Sequence, residues 1–166
     1  MQRPDSHFDA AAGPLRAEHF QVAYATNDIE RAMAIFRDRF GIGEFRQLKG
    51  RMLKGGDIHI ELAWVGGTMY ELLTASGPGA ETFMMNIPED TFTIRHHHLG
   101  FLIHDDAEWN ALLADIERNG WRILSQNDNT GFMRTLIVEI PELGHCLEYL
   151  YPEPAGLAFF ENVPGN

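Results

Sequence analysis

The spacing of apolar residues changes at regular intervals along this chain, and each change marks an element. Residues 19–26 (HFQVAYAT) read as a short strand, with Phe20, Val22 and Tyr24 on one side and His19, Gln21 and Ala23 on the other. Asn27 and Asp28 offer a helix N-cap, with Glu30 in the first turn. Ile29, Ala32, Met33, Phe36 and Phe40 then recur three and four residues apart, one face of a helix over 29–40 that Gly41 and Gly43 end. Short runs at 45–48, 57–64 and 68–73, separated by Gly55-Gly56 and Gly66-Gly67, predict an antiparallel meander with hairpin turns.

The same order repeats after a stretch rich in Gly, Pro and acidic residues. Residues 98–104 predict a strand, and Asp105-Asp106 a cap. Trp109, Leu112, Leu113 and Ile116 form a second helical stripe that Gly120 stops. Strands follow near 121–126, 133–140 and 145–151, the last two split by Pro141 and Gly144. The expected organisation is a loose, flexible arm over 1–17, a first module over 18–75, a linker or lid over 76–95, and a second module over 96–152. A tail over 153–166 carries Leu157, Phe159 and Phe160 and is expected to pack on the domain. Neither module could readily cover both faces of its own sheet, so two units sharing a core make physical sense.

Composition narrows the classes of partner. With 13 Lys+Arg against 24 Asp+Glu the net charge is −11, which disfavours nucleic acid and anionic membrane surfaces, since both call for a basic face. No run approaches the ~18 uninterrupted apolar residues of a membrane helix. The first 17 residues lack the apolar core of a signal peptide. The lone Cys146 excludes an internal disulfide. A cytoplasmic location is the default expectation, with a small molecule as the partner.

The repeat brings candidate chemistry with it. In each half a His opens the first strand and a Glu sits in the last, His19 and Glu71 being 52 residues apart and His98 and Glu148 50. Glu71 lies between Tyr70 and Leu72, and Glu148 between Leu147 and Tyr149. A carboxylate in an apolar strand is costly unless it is paired or metal-bound. Imidazole and carboxylate together suit a divalent ion such as Zn, Ni, Co, Mn or Fe. Taken singly, His19 and His98 also read as ordinary strand residues, His96 or His97 could supply a ligand in place of His98, and the two acids could face solvent.

These segments resemble the vicinal-oxygen-chelate superfamily, which groups glyoxalase I, methylmalonyl-CoA epimerase, extradiol dioxygenases and bleomycin-resistance proteins. HFQVAYATNDIERAMAIFRDRFG resembles the family's opening strand and helix, and MYELLTASGPG the strand that carries its second ligand. HHHLGFLIHDDAEWNALLADIERNGW and EIPELGHCLEYLYP resemble the opening and close of its second module. The resemblance spans roughly residues 18–152. It implies an α+β fold of two βαβββ modules forming a curled mixed sheet around a metal-containing cleft, often in a homodimer. It places His19, Glu71, His98 and Glu148 at the four metal positions, on one divalent ion. It also implies an isomerase, epimerase or lyase of glyoxalase type that abstracts a proton beside a carbonyl through a metal-stabilised enolate. Glu148 is the first candidate base and Glu71 the second. A non-catalytic, drug-like small-molecule binder and an extradiol-type ring-cleaving dioxygenase are the alternatives.

Overall fold

Both long helices form where the apolar stripes predict them. Asp28 caps α1 (Ile29–Phe40), its carboxylate accepting from the Arg31 amide, and Asp105 caps α3 (Asp106–Asn119) by accepting from Glu108. Gly41 and Gly120 close them in the left-handed conformation, with φ of 75° and 67°. The structure, a computed structural model, describes Asp9 and residues 12–166. Most of the expected flexible stretch at the start of the 1–17 arm lies outside the described residues. Its later part makes a 3-10 turn at Pro14–Arg16, tied to the sheet by the Tyr149 hydroxyl, which donates to the Pro14 carbonyl at 3.0 Å.

Among the described residues eight strands form one mixed sheet: β1 (Glu18–Thr26), β2 (Arg46–Arg51), β3 (Asp57–Val65), β4 (Thr68–Ser76), β5 (Ile94–Leu102), β6 (Arg122–Asn129), β7 (Met133–Ile140) and β8 (His145–Pro152). Their order is β2-β3-β4-β1-β5-β8-β7-β6. Each half pairs its first strand in parallel with its last, β1 with β4 and β5 with β8, and the halves join where β1 runs antiparallel to β5. This is the α+β arrangement of two βαβββ halves in a curled half-barrel, completed within one chain.

Alternation sorts the two faces. On the outer face Ile29, Ala32 and Phe36 of α1 cover Ala63 and Leu72, while Trp109, Leu112 and Ile116 of α3 cover Leu136, Val138, Leu147 and Tyr149. Each such side chain contributes on the order of 1.5–3 kcal/mol of burial, so the helices hold the sheet in its curl. The inner face is left to the cleft.

Two segments expected as connections have structure. β5 begins at Ile94, four residues before the expected strand start, because Asn27 organises the approach to it. The Asn27 amide donates to the Pro88 and Thr91 carbonyls, and its oxygen accepts from the Thr93 amide. The connection also carries a one-turn helix, α2 (Glu81–Met84). The tail lies against the sheet. α4 (Pro154–Glu161) sets Phe159 edge-on to Phe132, and Phe160 edge-on to Phe20. Beyond it the Trp64 amide donates to the Pro164 carbonyl and the Asn166 amide donates to the Trp64 carbonyl, so the segment links both halves.

Candidate metal centre

The four central strands each send one polar side chain to the same place on the inner face: Gln21 from β1, Glu71 from β4, His98 from β5 and Glu148 from β8. One ligand atom each from Glu71, His98 and Glu148 lies within 4.8 Å of the others. His98 Nε2 is 2.9 Å from Glu148 Oε2 and 3.4 Å from Gln21 Oε1. The Gln21 amide Nε2 donates to Glu71 Oε2 at 2.7 Å. Side-chain exposure is 1% for His98 and 13% for Glu148, and Gln21 and Glu71 are buried. Three of the four residues singled out in the sequence are therefore brought together.

The fourth, His19, is not. It is exposed on the outer side, its ring against Phe101 at 5.3 Å and its Nε2 3.0 Å from the Gln21 carbonyl. The cause is a bulge. On β5, Phe101 pairs with His19 and the next residue, Gly100, pairs with Gln21, so Phe20 is an extra residue on β1 and the side alternation breaks there. Strand register identifies the counterpart of His98. His98 pairs with Cys146, two residues before Glu148, and Gln21 pairs with Met69, two residues before Glu71. Gln21 and Glu71 are also 50 residues apart, as are His98 and Glu148. That equality was the available signal for Gln21. Gly100 makes room for it: a Cβ there would sit 2.4 Å from Gln21 Oε1 and 2.8 Å from Gln21 Cβ.

Burial sets the charge of the group. It raises the Glu71 carboxyl to about 7, with the neighbouring Glu148 adding to the rise against the opposing effects of His98 and Gln21. Burial likewise raises Glu148 to about 7 and pushes His98 below the usual histidine range. The His98–Glu148 contact is thus a neutral hydrogen-bonded pair below about pH 7, with the carboxyl donating. Deprotonating both acids would leave carboxylate and amide oxygens crowded together in a buried site, which only a proton or a cation between them relieves. Three oxygen donors and one imidazole fit a divalent first-row ion. Cys146, next to His98 across the strands, is buried, and burial lifts its thiol to about 11, so it stays protonated.

Gln21, Glu71 and Glu148 line a cleft of about 550 Å³ whose walls include Ile60, Leu62, Phe83, Ile137, Leu150 and Phe160. That size and apolar lining suit a small molecule. Arg122 and Arg134 are engaged elsewhere, with Glu139 at 3.2 Å and Asp106 at 2.6 Å. Among the described residues no helix is long and apolar enough to cross a membrane.

Fold and group together define a small-molecule cleft with a potential metal site, built from paired βαβββ halves. The chain belongs to the glyoxalase/bleomycin resistance protein/dioxygenase superfamily, whose family pattern matches residues 20–137. No curated protein matches it by sequence. Among solved structures it is similar to a variant of Streptomyces coelicolor methylmalonyl-CoA epimerase in complex with 2-nitronate-propionyl-CoA, at 17% identity and a TM-score of 0.57, covering 84% of this chain and 96% of that one. It is also similar to methylmalonyl-CoA epimerase from Mycobacterium tuberculosis, at 16% identity and a TM-score of 0.54, covering 85% and 91%. A mutant 4-hydroxymandelate synthase from Streptomyces coelicolor matches at 13% identity and a TM-score of 0.51, over 82% of this chain but 48% of that one. At these identities the likeness is one of fold.

Proposed function

We propose that the chain is a divalent-metal-dependent isomerase, epimerase or lyase that removes a proton from carbon beside a carbonyl. The observation that carries this reading is the convergence of Gln21, Glu71, His98 and Glu148 beside an apolar cleft that all but His98 line. These four would hold the ion, with Gln21 in the place that the sequence suggested for His19. When bound, such an ion polarises a substrate carbonyl and makes the neighbouring C–H more acidic.

Glu148 is the base in this reading. It is the more exposed of the two acids, and its carboxyl titrates near neutral pH, where a general base works best. Glu71 is second, because its Oε2 is already engaged by the Gln21 amide. The apolar walls exclude water and orient the substrate's carbon skeleton. The superfamily contains enzymes acting on very different compounds, and the epimerase neighbours favour an acyl thioester or a similar carbonyl compound as the first substrate to try. A ring-cleaving oxygenase fits less well: the Fe(II) site of such chemistry takes two His and one carboxylate, and this group has one His and two carboxylates.

Metal analysis tests the reading. Protein purified without an affinity tag is expected to carry about one divalent ion per chain, lost on chelation and regained on add-back. His19→Ala is expected to leave this content unchanged, whereas Gln21→Ala, which removes a ligand, is expected to weaken binding by more than the ~10- to 100-fold that loss of a ligand's hydrogen-bond partner costs. Equal losses from the two changes would return His19 to the site, and no binding under any loading condition would end the metal reading.

A further inference from the structure

Two neighbouring residues of β5, His97 and His98, are both buried, although neighbours on a regular strand face opposite ways. A second bulge accounts for it. Ala23 pairs with His98 and Tyr24 with His96, which leaves His97 as the extra residue. Its ring meets that of His98 nearly at right angles, with centroids 5.1 Å apart and the two Nδ1 atoms at 2.8 Å. On its other side it stacks on Phe83 of α2, and its Nε2 is 2.9 Å from the Thr82 carbonyl. A helix of one turn leaves carbonyls without intrahelical partners, which is why this one is open to a side chain.

Hydrogen bookkeeping along this chain has one consistent solution. A carbonyl only accepts, so His97 Nε2 carries a hydrogen. The buried ring has only the Thr82 carbonyl and the His98 ring on its nitrogens and no carboxylate to hold a second hydrogen, so its Nδ1 is a bare lone pair. The short contact between the two Nδ1 atoms then requires His98 to donate from its Nδ1. His98 Nε2 is left as a lone pair, which accepts from the protonated Glu148 carboxyl at 2.9 Å.

We propose that His97 is a positioning residue which, anchored on the Thr82 carbonyl, locks His98 in the tautomer whose Nε2 is free to bind a cation. The inference rests on the metal reading above and deepens it. It makes α2 part of the outer support of the site, because any displacement of Thr82 or Phe83 releases the ring that orients His98. The connection over 76–95 would therefore support a bound ion without touching it.

Nitrogen NMR of the histidines tests this without metal. In the metal-free chain near pH 6, where the Glu148 carboxyl still holds its hydrogen, His98 is expected to show a hydrogen-bearing Nδ1 and a lone-pair Nε2, and His97 the opposite arrangement. Chelator competition supplies the second arm. His97→Phe, which fills the space but accepts nothing, is expected to weaken metal binding about 10- to 100-fold and to leave His98 as a mixture of tautomers. His97→Gln, with an amide oxygen for His98 and an amide N–H for Thr82, is expected to restore most of both. A hydrogen on His98 Nε2 in the unaltered chain overturns the proposal, whether or not the variants fold. Equal metal affinity in the unaltered chain and His97→Phe overturns it as well. If the unaltered chain binds no metal, the reading of the previous section fails, and the tautomer measurement alone decides whether His97 sets His98.

Discussion

Glu148→Gln is expected to lower the rate of carbon–proton removal by about two to four orders of magnitude, the usual contribution of a positioned general base. Gln keeps the size and can still offer an oxygen, but it has no basic site at working pH. The loss is read by following exchange of the proton beside the carbonyl with solvent deuterium, using a panel of acyl thioesters and hemithioacetals with metal-loaded protein. Glu71→Gln is expected to act chiefly through weaker metal binding, and excess metal should restore part of its activity. Turnover that survives Glu148→Gln at full metal occupancy would move the base to another residue.

The same substitution is expected to change stability in opposite directions with and without metal. Without it, the two carboxyls titrate at about 7 in the folded chain against 4.5 ordinarily. Below pH 4.5 both folded and unfolded states hold these protons and nothing is lost. Between 4.5 and 7 the folded state holds more protons than the unfolded one, so stability falls as pH rises; above 7 the loss is complete. For one such group the loss is on the order of 3 kcal/mol. His97 and His98, held neutral by burial, act in the opposite sense at lower pH, where the unfolded chain takes up protons that they refuse. The carboxylate contribution is therefore isolated by comparing the unaltered chain with Glu148→Gln.

At pH 8 with a chelator, Glu148→Gln is expected to be the more stable of the two by on the order of 3 kcal/mol in urea unfolding. With saturating metal the order reverses, because the ion binds the ionised carboxylate of the folded chain and adds its binding free energy to stability. Metal affinity of the unaltered chain rises with pH over the same window as protons leave the two acids. An unaltered chain that is already the more stable at pH 8 under chelation would mean that Glu148 is not a strained carboxylate.

The apolar stripes at three- and four-residue spacing, the Asp28 and Asp105 caps and the Gly41 and Gly120 stops carry α1 and α3 without reference to the rest of the chain, because each signal acts within one helix. The hairpin glycines do the same for the two meanders. Glu71 and Glu148 were legible as unusual because a carboxylate in an apolar strand stands out wherever the strand is placed, and the repeat paired each with a strand-opening residue 50 or so positions earlier. His19, at the opening of its strand, and Gln21, two residues further on, both lie about 50 positions before Glu71. The bulge that turns one outward and the other inward arises where β1 lies against β5, roughly 80 residues further along the chain, and nothing within HFQVAYAT signals it. The bulge at His97, which puts two adjacent histidines on the same buried side, arises in the same strand pair. Local sequence sets the period of an element, but an extra residue in one strand is defined only against its partner. Which imidazole or amide reaches the centre was therefore settled by the packing of two distant strands.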